Sequence, residues 1–348
     1  MNLISHINKL KSCFSEKDMI YALFIFLSVF FRLFTLFSSD LIPGINGGYY
    51  ALQVRSVYEN FHMSGSDLPF YFYFNAILLK LISALGIIIT DDFIIKFLKV
   101  IDSICMPLML ILFACFQKNN KANFTLGAEL IILSYLSFSL SPLMLIGDLQ
   151  KNAFGIPFMF LYFGMLYQYL QTKKTKYMLL MVLTLMLISL IHFGVFIVSL
   201  LFLLFNVFQI QSKKKYFLSG ILLVAGILIV MMFDYSRALR FLMFWNVIFE
   251  KPLLLQGPVP IYDLVNILFS CFLAFFVLRS IKRKECHLAD SAKQYLKAFA
   301  MMLLILSFPL LDIEYFRRFS LFLFIFQAFS QLSPKCWCKV PTLCFQSN

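Results

Sequence analysis

Apolar runs of membrane-spanning length recur from Met19 to Leu332, separated by short polar breaks. The first, Met19–Ser38, follows a short basic segment carrying Lys9, Lys11 and Lys17. Asp40–Asp67 is then the first long polar interruption. Inside it Tyr50, Val54, Val57, Tyr58 and Phe61 recur at helical spacing on one face, and Gln53, Arg55, Ser56, Glu59 and Asn60 take much of the other. The spacing predicts a helix over Gly48–Phe61, about 14 residues and roughly 21 Å long. It is too short and too polar to cross, and suits the membrane surface. Leu68–Ile89 is apolar with Lys80 inside it, and Phe93–Phe116 follows. Later runs lie at 124–143, 152–171, 177–209, 216–233, 261–279, 297–311 and 319–332.

Charge fixes how these runs thread. Basic clusters stand at Lys118/Lys121, Lys173/Lys174/Lys176, Lys213/Lys214/Lys215, Lys282/Arg283/Lys284 and Lys335/Lys339. The positive-inside rule places such short-loop clusters in the cytoplasm. All five face inward on two conditions. Leu68–Ile89 must dip into the membrane and return, and the 177–209 run must cross twice, breaking near His192-Phe193-Gly194. That run is about 33 residues, too long for one helix and just enough for two short ones. The expected fold is an all-α polytopic membrane protein. It has about ten transmembrane helices, an outer-face juxtamembrane helix and a re-entrant helix, with both termini inside. Residues 1–332 form one integral membrane domain with an outer-face loop assembly at 40–89. Residues 333–348 form an unstructured C-terminal tail.

Composition agrees. Of 348 residues, 61% are hydrophobic and only 14% charged, where a soluble domain carries roughly a quarter. The net charge of +13 is accounted for by the inner loops, so nucleic acid is not an expected partner. The first apolar run lacks a small-residue cleavage pattern and reads as a span, not a signal peptide. The eight cysteines include no CxxC. Cys105, Cys115 and Cys271 fall in apolar runs, and Cys336, Cys338 and Cys344 crowd the tail without partners at zinc-site spacing. No metal is expected. The Asn123-Phe124-Thr125 sequon falls on the inner side, and no internal repeat stands out.

This topology gathers the chemistry on one face. Outside lie 40–67, Gly147–Asn152 (GDLQKN), His192, Asp234–Pro260 and Asp312–Arg318. Asp40, Asp67 and Asp148 are the carboxylates able to take a proton from an acceptor nucleophile, against the plainer role of solvated loop acids. Asp148, three before Lys151, can also cap a helix start. Arg237 and Arg240, and Arg317 and Arg318, are outer-face arginines. Guanidinium donors suit phosphate oxygens, and lipid headgroups are the competing partner. Glu314 can form a surface pair with Arg317. His192, at the expected break, either binds substrate or satisfies freed backbone groups. Lys80 is costly deep in a bilayer and cheap if it reaches the interface.

The order of parts resembles the polyprenyl-phosphate-sugar-dependent glycosyltransferases of the GT-C superfamily, of the protein O-mannosyltransferase and aminoarabinose transferase type. One span leads to a first outer loop with an acidic-x-x-Tyr-Tyr-type motif on a juxtamembrane helix. A Pro-aromatic helix follows, here Leu68-Pro69-Phe70-Tyr71-Phe72-Tyr73, and then a second outer loop with an acid, here Asp148. The chain departs from the pattern at Asn46, which stands where the first acid belongs, three residues before Tyr49. Asparagine cannot be a general base.

The resemblance implies transfer of a sugar from a polyprenyl-phosphate donor to a glycan, lipid or protein hydroxyl, at the outer face of a bacterial or archaeal plasma membrane, without cofactor. Asp40, Asp148 or Asp67 would be the base. Arg55, Arg237, Arg317, Arg318 and Lys80 would hold the lipid phosphate, and Tyr49 and Tyr50 would frame the sugar beside Asn46, Lys151 and His192. The competing reading is a transporter or lipid-linked-sugar flippase, for which Asp102, deep in a span, is the candidate charge. A polysaccharide polymerase would be expected to carry one dominant arginine-rich outer loop.

Overall fold

The pattern of apolar runs resolves into helices, joined mostly by short turns. The computed structural model describes residues 16–44, 46–119, 126–147, 149–208, 213–236, 239, 243, 247–255, 257–282 and 289–330. Among them the only sheet-like pairing is one antiparallel bridge between Pro252 and Asp312. In chain order the helices are α1 (Glu16–Phe37), α2 (Gly47–Asn60), α3 (Phe70–Ala84), α4 (Asp91–Cys105), α5 (Leu108–Asn119), α6 (Leu126–Phe138), α7 (Leu140–Met144) and α8 (Gln150–Thr172). Then come α9 (Thr175–Ile191), α10 (Phe193–Phe208), α11 (Lys213–Phe233), α12 (Ile261–Lys282), α13 (Asp290–Leu306), α14 (Ile313–Ser320) and α15 (Leu323–Ser330).

Among the described residues five stretches are long and apolar enough to cross a membrane: 17–37, 91–118, 126–144, 150–172 and 261–282. Their outward faces are oily. Phe26, Phe30 and Phe34 of α1, and Leu268, Phe272 and Phe275 of α12, are all exposed. Exposed phenylalanine stripes of this kind need lipid around them, and the chain is an integral membrane protein. The expected ten crossings are a larger number than these five, because several other apolar helices are only 10–17 residues long.

α1 and α4–α5 run antiparallel, and their contacts fix the direction. At one end Lys99 Nζ donates to the carbonyls of Ser39 and Asp40, at 2.5 and 2.9 Å. Further in, Arg32 pairs with Asp102 at 3.3 Å. At the other end the Tyr21 hydroxyl donates to Gln117 at 2.8 Å. The long α4–α5 span is broken at Met106-Pro107, where proline cannot continue the backbone ladder.

α2 matches the helix expected over 48–61 to within a residue at each end. Its faces differ in detail. Gln53 is buried, and Phe61, assigned to the apolar face, ends the helix exposed in the left-handed region with φ 59°. The reason is the returning chain. Gln53 Oε1 accepts from Ser64 N–H at 3.0 Å, and Ser56 donates to the His62 carbonyl at 2.8 Å. Residues 62–66 therefore run back along α2, and α3 starts beside its beginning. Tyr50 meets Tyr71 and Phe72, and Tyr58 meets Lys80. The two helices thus lie side by side in the same direction. Asp67 before α3 contacts the start of α8, and Asp91 after it contacts Arg55 of α2. Both ends of the Leu68–Ile89 segment stay at one end of the bundle.

The 177–209 run breaks where expected. His192 takes an extended conformation, φ −155° and ψ 125°, between α9 and α10. A Cβ on Gly155 would meet Val195 and Ile191, and Phe163 meets Phe202 at 4.5 Å between ring centroids. α10 therefore runs back alongside α8, reversing at His192. Phe163, Phe202, Tyr295, Phe299 and Phe326 pack the centre of this core. The 319–332 run, expected as one last span, is divided. α14 ends at Ser320 and α15 begins at Leu323. Asp312 sets α14 in place: it accepts from Glu314 N–H at 2.9 Å as its N-cap and from Lys251 N–H at 3.2 Å.

Candidate functional site

Five chain segments meet at the end of the bundle occupied by α2 and α3, and enclose a cavity of about 450 Å³. They are the start of α2 (Asn46, Tyr49, Tyr50), Asp67, the start of α8 (Lys151, Asn152), the α9–α10 reversal (His192–Gly194) and α14 with the turn after it (Tyr315, Arg318, Phe322). No two of these segments adjoin in sequence. The cavity is a product of the reversals described above.

Asp67 and Lys151 form its charged centre. They pair at 2.7 Å, both buried. Asp67 Oδ1 also accepts from Leu68 N–H at 2.7 Å, and Oδ2 accepts from the Tyr49 hydroxyl at 3.0 Å. Lys151 Nζ donates to the Leu68 carbonyl at 3.2 Å and lies 4.9 Å above the Phe72 ring. A buried ion pair is tolerated only with such further hydrogen bonds. Tyr49, Tyr50, Tyr71 and Phe72 then interlock, edge to face with centroids 5.6 to 6.0 Å apart except for the tilted Tyr50–Phe72 contact at 6.4 Å. This aromatic block fixes the wall behind the pair.

His192 has a structural role at the start of α10. Its Nδ1 accepts from Gly194 N–H at 3.1 Å and Val195 N–H at 3.4 Å, capping α10. An imidazole that accepts at Nδ1 holds its proton on Nε2 and can donate there. Arg318 reaches the cavity from an exposed position and stands 3.6 Å from Glu314, so the surface pair forms with Arg318 and not with Arg317. Such an exposed pair is weak and easily exchanged.

The loop before α8 is braced from the opposite side. Asp102 Oδ2 accepts from Gly147 N–H at 3.0 Å, while Arg32 binds Asp102 and the Pro142 carbonyl, at 3.1 Å to the latter. Gly147 has φ +79°, and a Cβ there would lie 2.8 Å from the ring and the carbonyl of Pro43. Only glycine fits both demands.

Of the residues expected from sequence, Asn46, Tyr49, Tyr50, Asp67, Lys151, His192 and Arg318 come together in the cavity. Asp40 is exposed, and its contribution to the fold is the carbonyl that Lys99 binds. Arg55 is held on the surface by Glu59 at 2.9 Å and Asp91 at 2.7 Å, which together raise its pKa. Lys80 sits 4.7 and 4.6 Å over the Tyr58 and Phe61 rings, away from the cavity lining. Arg317 is exposed and outside the lining. Asp148 and Arg237 lie outside the described residues.

Sequence reading missed Asn152 and Tyr315. Asn152 lies inside the GDLQKN stretch and Tyr315 inside DIEYFRR, but a lone amide or phenol has no pattern until neighbours surround it. No group of three or more His, Cys, Asp or Glu suited to a metal occurs among the described residues. No family model, curated protein or solved structure matches the chain.

Proposed function

We propose that the protein is a membrane glycosyltransferase that moves a sugar from a polyprenyl-phosphate donor to an acceptor hydroxyl. It would act on the outer face of a bacterial or archaeal plasma membrane, with about ten crossings and both termini inside. One observation carries this reading. A carboxylate, two cations and a set of tyrosines, drawn from distant segments, surround one cavity at the end of the bundle bearing the surface helix α2.

In the proposed reaction the acceptor oxygen attacks the anomeric carbon and its proton passes to the Asp67 carboxylate. The bond from that carbon to the phosphate oxygen breaks, and the electron pair leaves with the polyprenyl phosphate. Negative charge grows on that phosphate. The Nε2–H of His192, whose ring is held by its Nδ1 bonds, and the guanidinium of Arg318, which can leave Glu314, are the donors that stabilise it. Lys151 holds Asp67 in place. Asp67 takes the part that Asn46 cannot.

A transporter or flippase would need an available charge deep in the bundle. Asp102 is that charge, and Arg32 and Gly147 engage it, which counts against this alternative.

The test is transfer from radiolabelled polyprenyl-phosphate sugars to a panel of acceptors by purified protein. Asp67→Asn is expected to lower the rate by about 10²-fold or more, the usual span for a lost general base. Arg318→Ala, at an exposed position, should lower it roughly 10- to 100-fold, the worth of a charge-assisted hydrogen bond. Full transfer by both folded variants, or none by wild type with any donor, defeats the proposal.

A further inference from the structure

Asn152 sits one residue beyond Lys151 in the first turn of α8 and lines the same cavity. It is 6% exposed, and its Oδ1 has no hydrogen-bond partner among the described residues. Asn75 and Asn206 also leave Oδ1 unmet, and Gln150 its Nε2, but none of the three lines the cavity. Asn75 and Asn206 donate to the carbonyls of Tyr71 and Phe202, one turn back, both at 2.8 Å. Gln150, two positions before Asn152, accepts from the Tyr71 hydroxyl at 2.8 Å. Asn152 thus keeps a buried acceptor unmet at the edge of a polar cavity. Leaving such a group unmet costs about 1–3 kcal/mol, which a partner inside the cavity recovers.

The geometry points to Asn152 as a specificity-determining residue whose carboxamide hydrogen-bonds a neutral hydroxyl of the ligand in this cavity. The chemistry of the site selects that partner. The positive charges of Lys151 and Arg318 and the carboxylate of Asp67 already provide for ionic groups. An amide offers one acceptor and two donors without charge, the set that matches a hydroxyl, which both gives and takes a proton. Rotation of the amide turns either end to the ligand. A few fixed polar groups among aromatic walls are also how ligand pockets set orientation, and here Tyr49, Tyr50 and Tyr315 supply those walls. On the glycosyltransferase reading, on which this inference rests, the hydroxyl is one of the sugar.

The test measures binding, apart from transfer, with three probes. They are a short-chain prenyl-phosphate hexose, its monodeoxy analogues and the sugar-free prenyl phosphate. Asn152→Leu is expected to weaken the hexose about tenfold, the worth of one hydrogen bond to a group otherwise unpaired. It should leave the sugar-free phosphate unchanged. One monodeoxy analogue should bind wild type and variant alike, because the hydroxyl that Asn152 reads is missing from it.

The inference is overturned if the variant binds every probe as wild type does, or if the loss extends equally to the sugar-free phosphate. It is overturned too if Asn152→Leu and Asn152→Ala both fail to fold, since the carboxamide then serves the protein itself. Transfer by wild type with no effect of Asn152→Leu on binding removes this inference and keeps the transferase. The expected binding pattern without any transfer removes the transferase and keeps the role of Asn152. Wild-type protein that binds no probe removes both.

Discussion

Asp67 and Lys151 stand 2.7 Å apart with hardly any exposure, so each is the other's main compensation for burial. Removing either alone leaves a charge in a low-dielectric site, at a cost of about 3–5 kcal/mol. Lys151→Met should therefore lower the thermal stability of the detergent-solubilised protein sharply. Asp67→Leu combined with Lys151→Met should recover most of that loss while staying inactive. Simple addition of the two single effects in a double-mutant cycle would show that the residues are not coupled. The sequence named both residues but could not pair them. They are 84 positions apart by residue number, and Lys151 has a nearer acid three residues before it. What joins Asp67 to Lys151 is the return of the chain along α2, which depends on Gln53 and Ser56 catching residues 62–64.

The start of α2 carries two adjacent glycines with different duties. A Cβ on Gly47 would lie 2.5 Å from the Ile42 carbonyl oxygen, whereas one on Gly48 meets nothing within 4 Å. Gly47→Ala should displace the 40–46 turn and destabilise the protein. Gly48→Ala should be neutral or stabilising by up to about 1 kcal/mol, as glycine is a poor helix residue. Thermal unfolding of both variants separates the two, and equal effects would remove the packing argument. At this scale the sequence was highly legible where periodicity was long. The limits of α2 and the break at His192 follow from spacing and length. The division of the last run between α14 and α15 does not, because Leu321 and Phe322 are as apolar as the helices they separate. The Asp312 cap, with the backbone N–H groups of Asp312 and Ile313 donating to the Ile248 and Lys251 carbonyls, fixes where α14 lies.

Charge placement is the coarse guide for the whole molecule, and it yields a direct expectation. A cysteine at Ser64 should react with an impermeant thiol reagent from outside intact cells, and one at Lys174 only after permeabilisation. Labelling of position 174 from outside would reverse the topology from α8 onward. The brace of Arg32 and Asp102 has a further consequence for how the chain enters the membrane. The partners are 70 residues apart, a delay of roughly 4 to 14 s at ordinary rates of synthesis. Through that interval α1 is a span with an uncompensated guanidinium, a burden of up to about 3 kcal/mol by insertion scales. α1 therefore gains this charge partner only once α4 has been synthesised. An Asp102→Ala chain is expected to accumulate in membranes at a lower level than wild type, measured by immunoblotting of the membrane fraction, and equal levels would remove any dependence on the order of arrival.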